Sequence, residues 1–362
     1  MKNVFLSISA MLATTVAFAQ ANVSSVVQSG TANGSNVTQV GSANNSLVTQ
    51  DGLNVAASGI SNDALVIQTG MQNDSNVDQS GDNNDGKVYQ TGNFNDATID
   101  QGVGYAEDNF ATTTQLGNSN TALQTQRFDN NVATITQTGN SNDASQFQSS
   151  GPDGSPGNVA VSMQIGDFNE SVQRQIGNSN YANVRQIGTD NYARQRQFGD
   201  NNVANSYQGQ ADNESQQLQN GNGNDALVFQ NDVNAGGNNF ANQNQQGNGN
   251  DAVVDQGLGT PATENSEAFQ TQIGDDNYAY ARQNGDSNFS RQTQTGDDNI
   301  TNHNQSGNDN DARTIQNGDD NNSAITQTGN LNTALTTQTG QLHISTVSQM
   351  GNSNNSVVTQ SN

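Results

Sequence analysis

The 362-residue chain is 30% hydrophobic and 5% aromatic, contains no Cys and no Trp, and carries a net charge of −24. So little apolar volume argues against an ordinary globular core. The acidic balance argues against nucleic acid and anionic membrane as partners, the absence of thiols removes disulfides and thiolate catalysis, and only ten Lys and Arg argue against dense phosphate recognition.

The chain opens with "MKNVFLSISAMLATTVAFAQ" (1–20): Lys2, a short apolar run from Val4, then Ala17-Phe18-Ala19. A charged start, an apolar middle and an A-x-A end describe a secretory signal peptide. Cleavage is expected after Ala19, leaving a single repeat domain over 20–362. No second apolar run of membrane-spanning length follows, so the exported chain is expected to have no membrane span.

Beyond the leader, Gln recurs as an anchor from Gln28 to Gln360, 29 times, and 23 of the 28 intervals are eleven residues. Six residues before the anchor stands Asn in 27 of 29 units, the exceptions being Ser266 and His343. Four before stands Ala or Ser, except at Gly86 and Thr301. Two after stands Gly in 22 of 29 units. The first units supply Asn33, Gln39, Gly41, Asn44, Gln50 and Gly52. The same amides recur as Asn73 and Gln79, Asn120 and Gln126, Asn180 and Gln186, Asn277 and Gln283, and Asn354 and Gln360. These form the expected structural ladder.

Positions −6, −4, −2 and 0 share one parity, so an extended strand points them to one face. A helix would scatter them. Each unit therefore reads as a strand of about five residues followed by a tight turn at Gly. The longer intervals place their extra residues in loops such as "SSGPDGSPG" (149–157), and all three prolines lie in such loops.

Position −2 changes along the chain. The first seven units carry Val26, Val37, Val48, Val66, Val77, Val88 and Ile99, and the last two carry Val347 and Val358. From Gln126 to Gln294 every second unit has Gln at −2, starting with Gln124 and Gln146 and ending with Gln292, and the units between never do. The true period is therefore 22 residues. Two strand types alternate, which predicts an all-β solenoid of about 14 two-strand coils, with two parallel sheets facing across a thin core. At about 4.8 Å per strand the rod should be roughly 65–70 Å long. Like stacked on like lets each Gln and Asn amide bond to the next, as in cross-β ladders. No polar cap is evident at either end of the repeats, and open strand edges invite another copy. The Val and Ile at −2 mark the ends as the assembly-prone segments.

The unit resembles the curlin repeat of curli amyloid subunits, S-x5-Q-x-G-x-x-N-x-A-x3-Q. "SNDALVIQTGMQNDSNVDQ" (61–79), "SNYANVRQIGTDNYARQRQ" (179–197) and "SNTALQTQRFDNNVATITQ" (119–137), the last with Phe128 for Gly, carry the pattern. The resemblance implies a secreted bacterial fibre subunit that forms a homopolymer at the cell surface and serves biofilm matrix and adhesion. It implies a nucleating minor subunit, a periplasmic chaperone and an outer-membrane export channel as partners. This chain multiplies the family's few repeats and lacks its Gly-rich export segment. Its final repeat, "HISTVSQMGNSNNSVVTQSN" (343–362), is regular and has no Lys or Arg, unlike a nucleator, so a major subunit is expected.

The remaining candidates for chemistry are weak. The Asp-rich turns "GDDN" (274–277) and "GNDN" (307–310) lack the nine-residue period of calcium β-rolls and read as solvated turns that resist premature assembly. His303 and His343 have no second His or Cys beside them, so no metal site is expected. No triad or acid–base pair is recognisable, and neither catalysis nor a cofactor is expected. Arg174, Arg185 and Arg196 sit at −1 on outer faces, alternating between the sheets, near Asp190 and Asp200. The rival reading is a monomeric secreted β-solenoid that binds a ligand or acts as an adhesin. An ice-binding face would need regular outward Thr columns, and positions −1 and −3 are mixed.

Overall fold

The computed structural model describes residues 21–51, 59–152, 154–230, 236–257 and 263–362. The signal peptide, Gly52 and Pro261 lie outside the described residues. Among the described residues the regular structure is 29 strands, numbered in chain order from β1 (Val23–Gln28) and β2 (Gly34–Ser42) to β28 (Ile344–Met350) and β29 (Asn355–Ser361). Odd-numbered strands form a 15-stranded sheet and even-numbered strands a 14-stranded sheet. All pairings are parallel, like on like: Gln28 lies opposite Gln50, and Val26 opposite Val48. The chain thus alternates between the two sheets every half-coil, and the architecture is the 22-residue solenoid of about 14 coils that position −2 predicts.

Insertions leave the register intact. Across the 149–157 loop Gln148 still pairs with Gln175, and Gln137 with Gln164. The interval after Gln101 behaves differently from expectation. There β7 (Asp96–Glu107) runs through 12 residues, with register shifts at Gln79/Gly81 and Asp100/Val103. The additional residues are absorbed as a bulge within paired strand rather than as a loop. Most strands span seven or nine residues instead of about five. The turn residues also pair coil to coil, as Gly41 does with Gly70.

Burial follows the two-residue period: Asp63–Met71 alternates outward residues with buried Ala64, Val66 and Gln68. The Ala column at −4 lets the sheets approach closely. At Gly86 an added Cβ would stand 3.0 Å from Val77 Cγ1 of the opposite sheet. Apolar contact is consequently patchy. One cluster gathers Val48, Val66, Val77, Val88 and Ile99, and a smaller one holds Ile325 and Val347.

Most of the described turns use two residues with positive φ. Gly41 has φ +114°, and a Cβ there would lie 1.9 Å from the Gly70 carbonyl oxygen, so Gly is required at that turn. The residue before the ladder Asn is also left-handed: Ala43, Asn83 and Asp276 all have φ near 56°. Asn and Asp tolerate this region, which gives the Asn- and Asp-rich turns a conformational role as well as a solvating one. Phe94, Phe168 and Leu331 hold the same conformation while largely exposed.

Candidate functional site

The solenoid's chemistry lies in repeated side-chain amides. Gln79 illustrates the anchor. Its Nε2 donates to Gln101 Oε1 at 2.9 Å, to the Asn84 carbonyl at 3.0 Å and to the Asp63 carbonyl at 2.9 Å. Its Oε1 accepts from Gln50 Nε2 at 2.8 Å. A buried amide left unpaired would cost several kcal/mol in an apolar core (~2–7), and here both ends are satisfied. One unbroken column runs from Gln28 Nε2→Gln50 Oε1 at 2.7 Å to Gln338 Nε2→Gln360 Oε1 at 2.9 Å. The second runs from Gln39 Nε2→Gln68 Oε1 at 2.8 Å to Gln327 Nε2→Gln349 Oε1 at 2.9 Å. Gln126, Gln186 and Gln283 each continue these columns to the next coil.

The Asn column runs in the opposite sense. Asn73 Nδ2 donates back to Asn44 Oδ1 at 3.1 Å and forward to the Gly92 carbonyl at 2.9 Å, and its backbone N–H also donates to Asn44 Oδ1. Asn120, Asn180 and Asn277 repeat this on Asn95, Asn158 and Asn250. Asn33 Oδ1 accepts the Asn62 N–H at one edge, and Asn354 Nδ2 donates to Asn332 Oδ1 at the other. The two exceptions are accommodated. Ser266 Oγ accepts the Asn288 N–H at 3.2 Å, and His343 keeps the backbone bond to Asn321 Oδ1 at 3.1 Å while its ring Nε2 lies 3.0 Å from the Thr339 carbonyl oxygen.

A third column fills position −2 in the middle of one sheet. It begins at Gln124, whose Oε1 accepts from Thr113 Oγ1 at 3.0 Å, and proceeds through Gln146 at 3.0 Å. It ends with Gln270 Nε2→Gln292 Oε1 at 2.8 Å. Just beyond, His303 is fully buried, with Nδ1 2.9 Å from Ser290 Oγ and Nε2 2.8 Å from Thr314 Oγ1. Burial lowers its pKa to about 3, so it stays neutral and spans the two sheets through hydroxyls. Among the described residues no group of three or more His, Asp or Glu is placed to hold a metal ion.

Of the apolar −2 residues, Val48, Val66, Val77, Val88 and Ile99 are fully buried and Val347 nearly so. Val37 and Val358 are partly buried, packed on neighbouring clusters, and Val26 is 44% exposed on the outermost strand. Among the described residues, β1, β2, β28 and β29 each pair on one side only. The edge strands therefore display Val26 and Val358 beside the ladder amides Gln28, Gln39, Gln349 and Gln360. No helix among the described residues is long and apolar enough to cross a membrane.

The outer faces carry what charge the chain has. Asp225 and Asp251 are adjacent on one sheet, and burial followed by the Asp225 charge pushes Asp251 up to about 6. Arg174 and Arg196 are directly paired on the other sheet, and Arg185 lies on the first. The guanidiniums of Arg174 and Arg196 stack on Phe147 and Phe198, an arrangement that sequence spacing alone did not disclose.

Sequence comparison agrees with this geometry. No curated protein matches the chain. Residues 81–105, 125–145 and 307–340 each match the family model of the curlin associated repeat. Each stretch takes in at least one of the anchor Gln residues whose columns build the solenoid, so the similarity to the curlin associated repeat falls on the residues that form the ladders.

Proposed function

We propose that the chain is a secreted structural subunit of curli-like functional amyloid fibres, a homopolymer at the bacterial surface that serves matrix and adhesion and has no catalytic role. One observation carries this reading: both Gln columns have a fixed direction and run unbroken to the outermost described strands. At one edge Gln360 and Gln349 have Nε2 donors with no further coil above them. At the other, Gln28 and Gln39 have Oε1 acceptors with no coil below among the described residues. Head-to-tail addition of a second copy continues both anchor Gln columns, whereas head-to-head addition opposes donor to donor. The fibre should therefore be polar, with strands perpendicular to its axis. The apolar edge residues Val26 and Val358 favour the same joint.

The curlin repeats support a surface location, and by the same resemblance export through an outer-membrane channel with a periplasmic chaperone, and nucleation by a minor subunit. The test is to dilute residues 20–362 from denaturant and follow thioflavin fluorescence, with fibre diffraction on the product. A lag, self-seeding and reflections near ~4.7 and ~10 Å are expected. A stable β-rich monomer that never seeds would overturn the reading in favour of a solenoid that binds a ligand on its faces.

A further inference from the structure

On the outer face of the 15-stranded sheet, one column of side chains segregates charge along the solenoid axis over six consecutive strands. From β5 to β15 the −1 column reads Asp78 on β5 (Asp74–Asp82), Asp100 on β7, Thr125 on β9 (Thr121–Arg127), Phe147 on β11 (Asp143–Ser149), Arg174 on β13 (Glu170–Ile176) and Arg196 on β15 (Tyr192–Phe198). Consecutive members are direct register partners, with Asp78 opposite Asp100, Thr125 opposite Phe147, and Arg174 opposite Arg196. Two carboxylates, two neutral residues and two guanidiniums thus stand in one line. The acidic end repels itself: burial and then the charges of Asp100 and Asp51 raise the Asp78 pKa. At the basic end Arg174 lies 5.6 Å from the Phe147 ring centroid and 5.4 Å from that of Phe198, and Arg196 lies 5.4 Å from Phe198. Ring stacking holds such guanidiniums in a defined orientation.

A column of this form complements itself when reversed. We propose that this face is a side-by-side docking surface for a second copy of the chain, running antiparallel, with Asp78 and Asp100 of each copy against Arg196 and Arg174 of the other. The two-fold axis lies between the sheets, along the strand direction, midway between β9 and β11. It is an isologous contact: every ion pair occurs twice. At about 4.8 Å per strand the acidic and basic blocks sit about 19 Å apart, and the column spans about 24 Å. Charge complementarity favours this occupant. The −5 column places Asp96 opposite Glu170, two like-charge contacts at the margin against four opposite-charge contacts in the −1 column.

Each exposed ion pair is weak, but a fibre repeats the contact at every subunit, so the contacts act together. In that respect the scale of the effect, though not the contact, rests on the fibre reading. Association should be salt-sensitive, since the Debye length shrinks from about 30 Å at 0.01 M to about 3 Å at 1 M.

The experiment compares fibres of residues 20–362 with the double variants R174E/R196E and D78R/D100R and with the quadruple variant that combines them. Filament width is measured by electron microscopy at low and high salt. Wild-type filaments are expected to pair at low salt and separate at high salt. Each double variant should be single at both, about a twofold loss of width. The quadruple variant, with all signs exchanged, should pair again, and a mixture of the two doubles should pair with each other. Association of R174E/R196E at wild-type level, or a quadruple variant that stays single, overturns the proposal. Elongation of wild-type seeds checks that each variant folds, and R174Q/R196Q replaces a charge-reversed protein that does not. If the chain forms no fibre at all, the same proteins are read by sedimentation at low salt. There a wild-type dimer lost in the doubles and regained in the quadruple supports the docking surface, and a wild-type monomer overturns it.

Discussion

The first coils and the middle coils share one backbone and fill it differently. Between Val48 and Ile99 the −2 positions of both sheets are aliphatic and form one continuous apolar cluster. Between Gln124 and Gln292 one sheet carries an amide column, while the other offers Ile135, Ser162, Val184, Ser206, Val228, Val254 and Ala281. Both anchor columns continue without a break across this boundary. Hydrogen bonds that stack in register can thus replace apolar volume, provided every amide is satisfied. The boundaries are marked chemically. Thr113 meets the first Gln of the central column, and His303 with Thr314 succeeds the last.

The comparison breaks most visibly when one member of a column is removed. Gln195→Ala strands the Gln173 amide and the Gln217 carbonyl oxygen and leaves a cavity. A local cost of about 3–5 kcal/mol is expected. Val77→Ala loses two methyl groups in the apolar coils and should cost about 2 kcal/mol. Because a solenoid need not unfold in one step, the measurement is hydrogen exchange at the strands flanking each site. Equal protection losses would show that the amide column contributes no more than the aliphatic one.

A sharper form replaces the whole column. Gln195→Val alone should cost about 2–3 kcal/mol, since it orphans two neighbours. Replacing all eight central Gln residues by Val removes both partners of every Gln–Gln bond, leaving only backbone carbonyls such as those of Thr112 and Val161 and the Thr113 hydroxyl without their Gln partner, and should cost less than about 1 kcal/mol per site. A cost of the block that equals eight times the single change would mean that the amides bind more tightly than apolar fill can match, and the two regions would not be alternative solutions.

Much of this was legible beforehand, because the repeat itself is the information. The parity of Asn, Ala and Gln around each anchor gives strands, and alternation of Gln at −2 gives two strands per coil. The direction of the amide columns was not legible: it depends on which oxygen each Nδ2 or Nε2 reaches. Nor was the left-handed residue before each Asn, since Phe94, Gln72 and Leu331 occupy it as well as Asn and Asp, and coil-to-coil stacking overrides their propensity. The bulge after Gln101 resembled any other insertion in spacing. The stacking of Arg174 on Phe147 and Phe198 needed the cross-strand register.

Acid separates the regions further. The unfolded chain protonates His303 below about 6.5, but the fold binds that proton only near 3. Across that window the unfolded state holds more protons, so stability falls as pH drops, by up to about 1.4 kcal/mol per unit. Asp251 acts in the opposite sense. Its folded pKa of about 6 exceeds the ordinary 3.8, so acidification through that window relieves a cost. Because Asp251 is half exposed, screening reduces this to about 1 kcal/mol. At pH 4.5 the strands around His303 should exchange fastest, and His303→Ile should abolish this. Asp251→Asn should stabilise at pH 7 and have no effect near pH 4. Acid opening that begins in the Val-filled coils would refute the assignment to His303.

The smallest expected effect tests what the two regions share. The hydroxyls of Ser75, in the apolar coils, and of Ser171 and Ser215, in the amide coils, are buried at −4 with no hydrogen-bond partner. Most other units place Ala there, so the backbone accepts a methyl group without adjustment. Removing an unsatisfied hydroxyl should stabilise by about 1 kcal/mol. Ser75→Ala, Ser171→Ala and Ser215→Ala are therefore expected to raise protection equally, by about five- to tenfold in local exchange. Equal gains would place the difference between the regions wholly at −2. A gain confined to Ser75 would mean that Ser171 and Ser215 exchange hydrogen bonds with the nearby Gln column, and that the column reaches further into the core than its own residues.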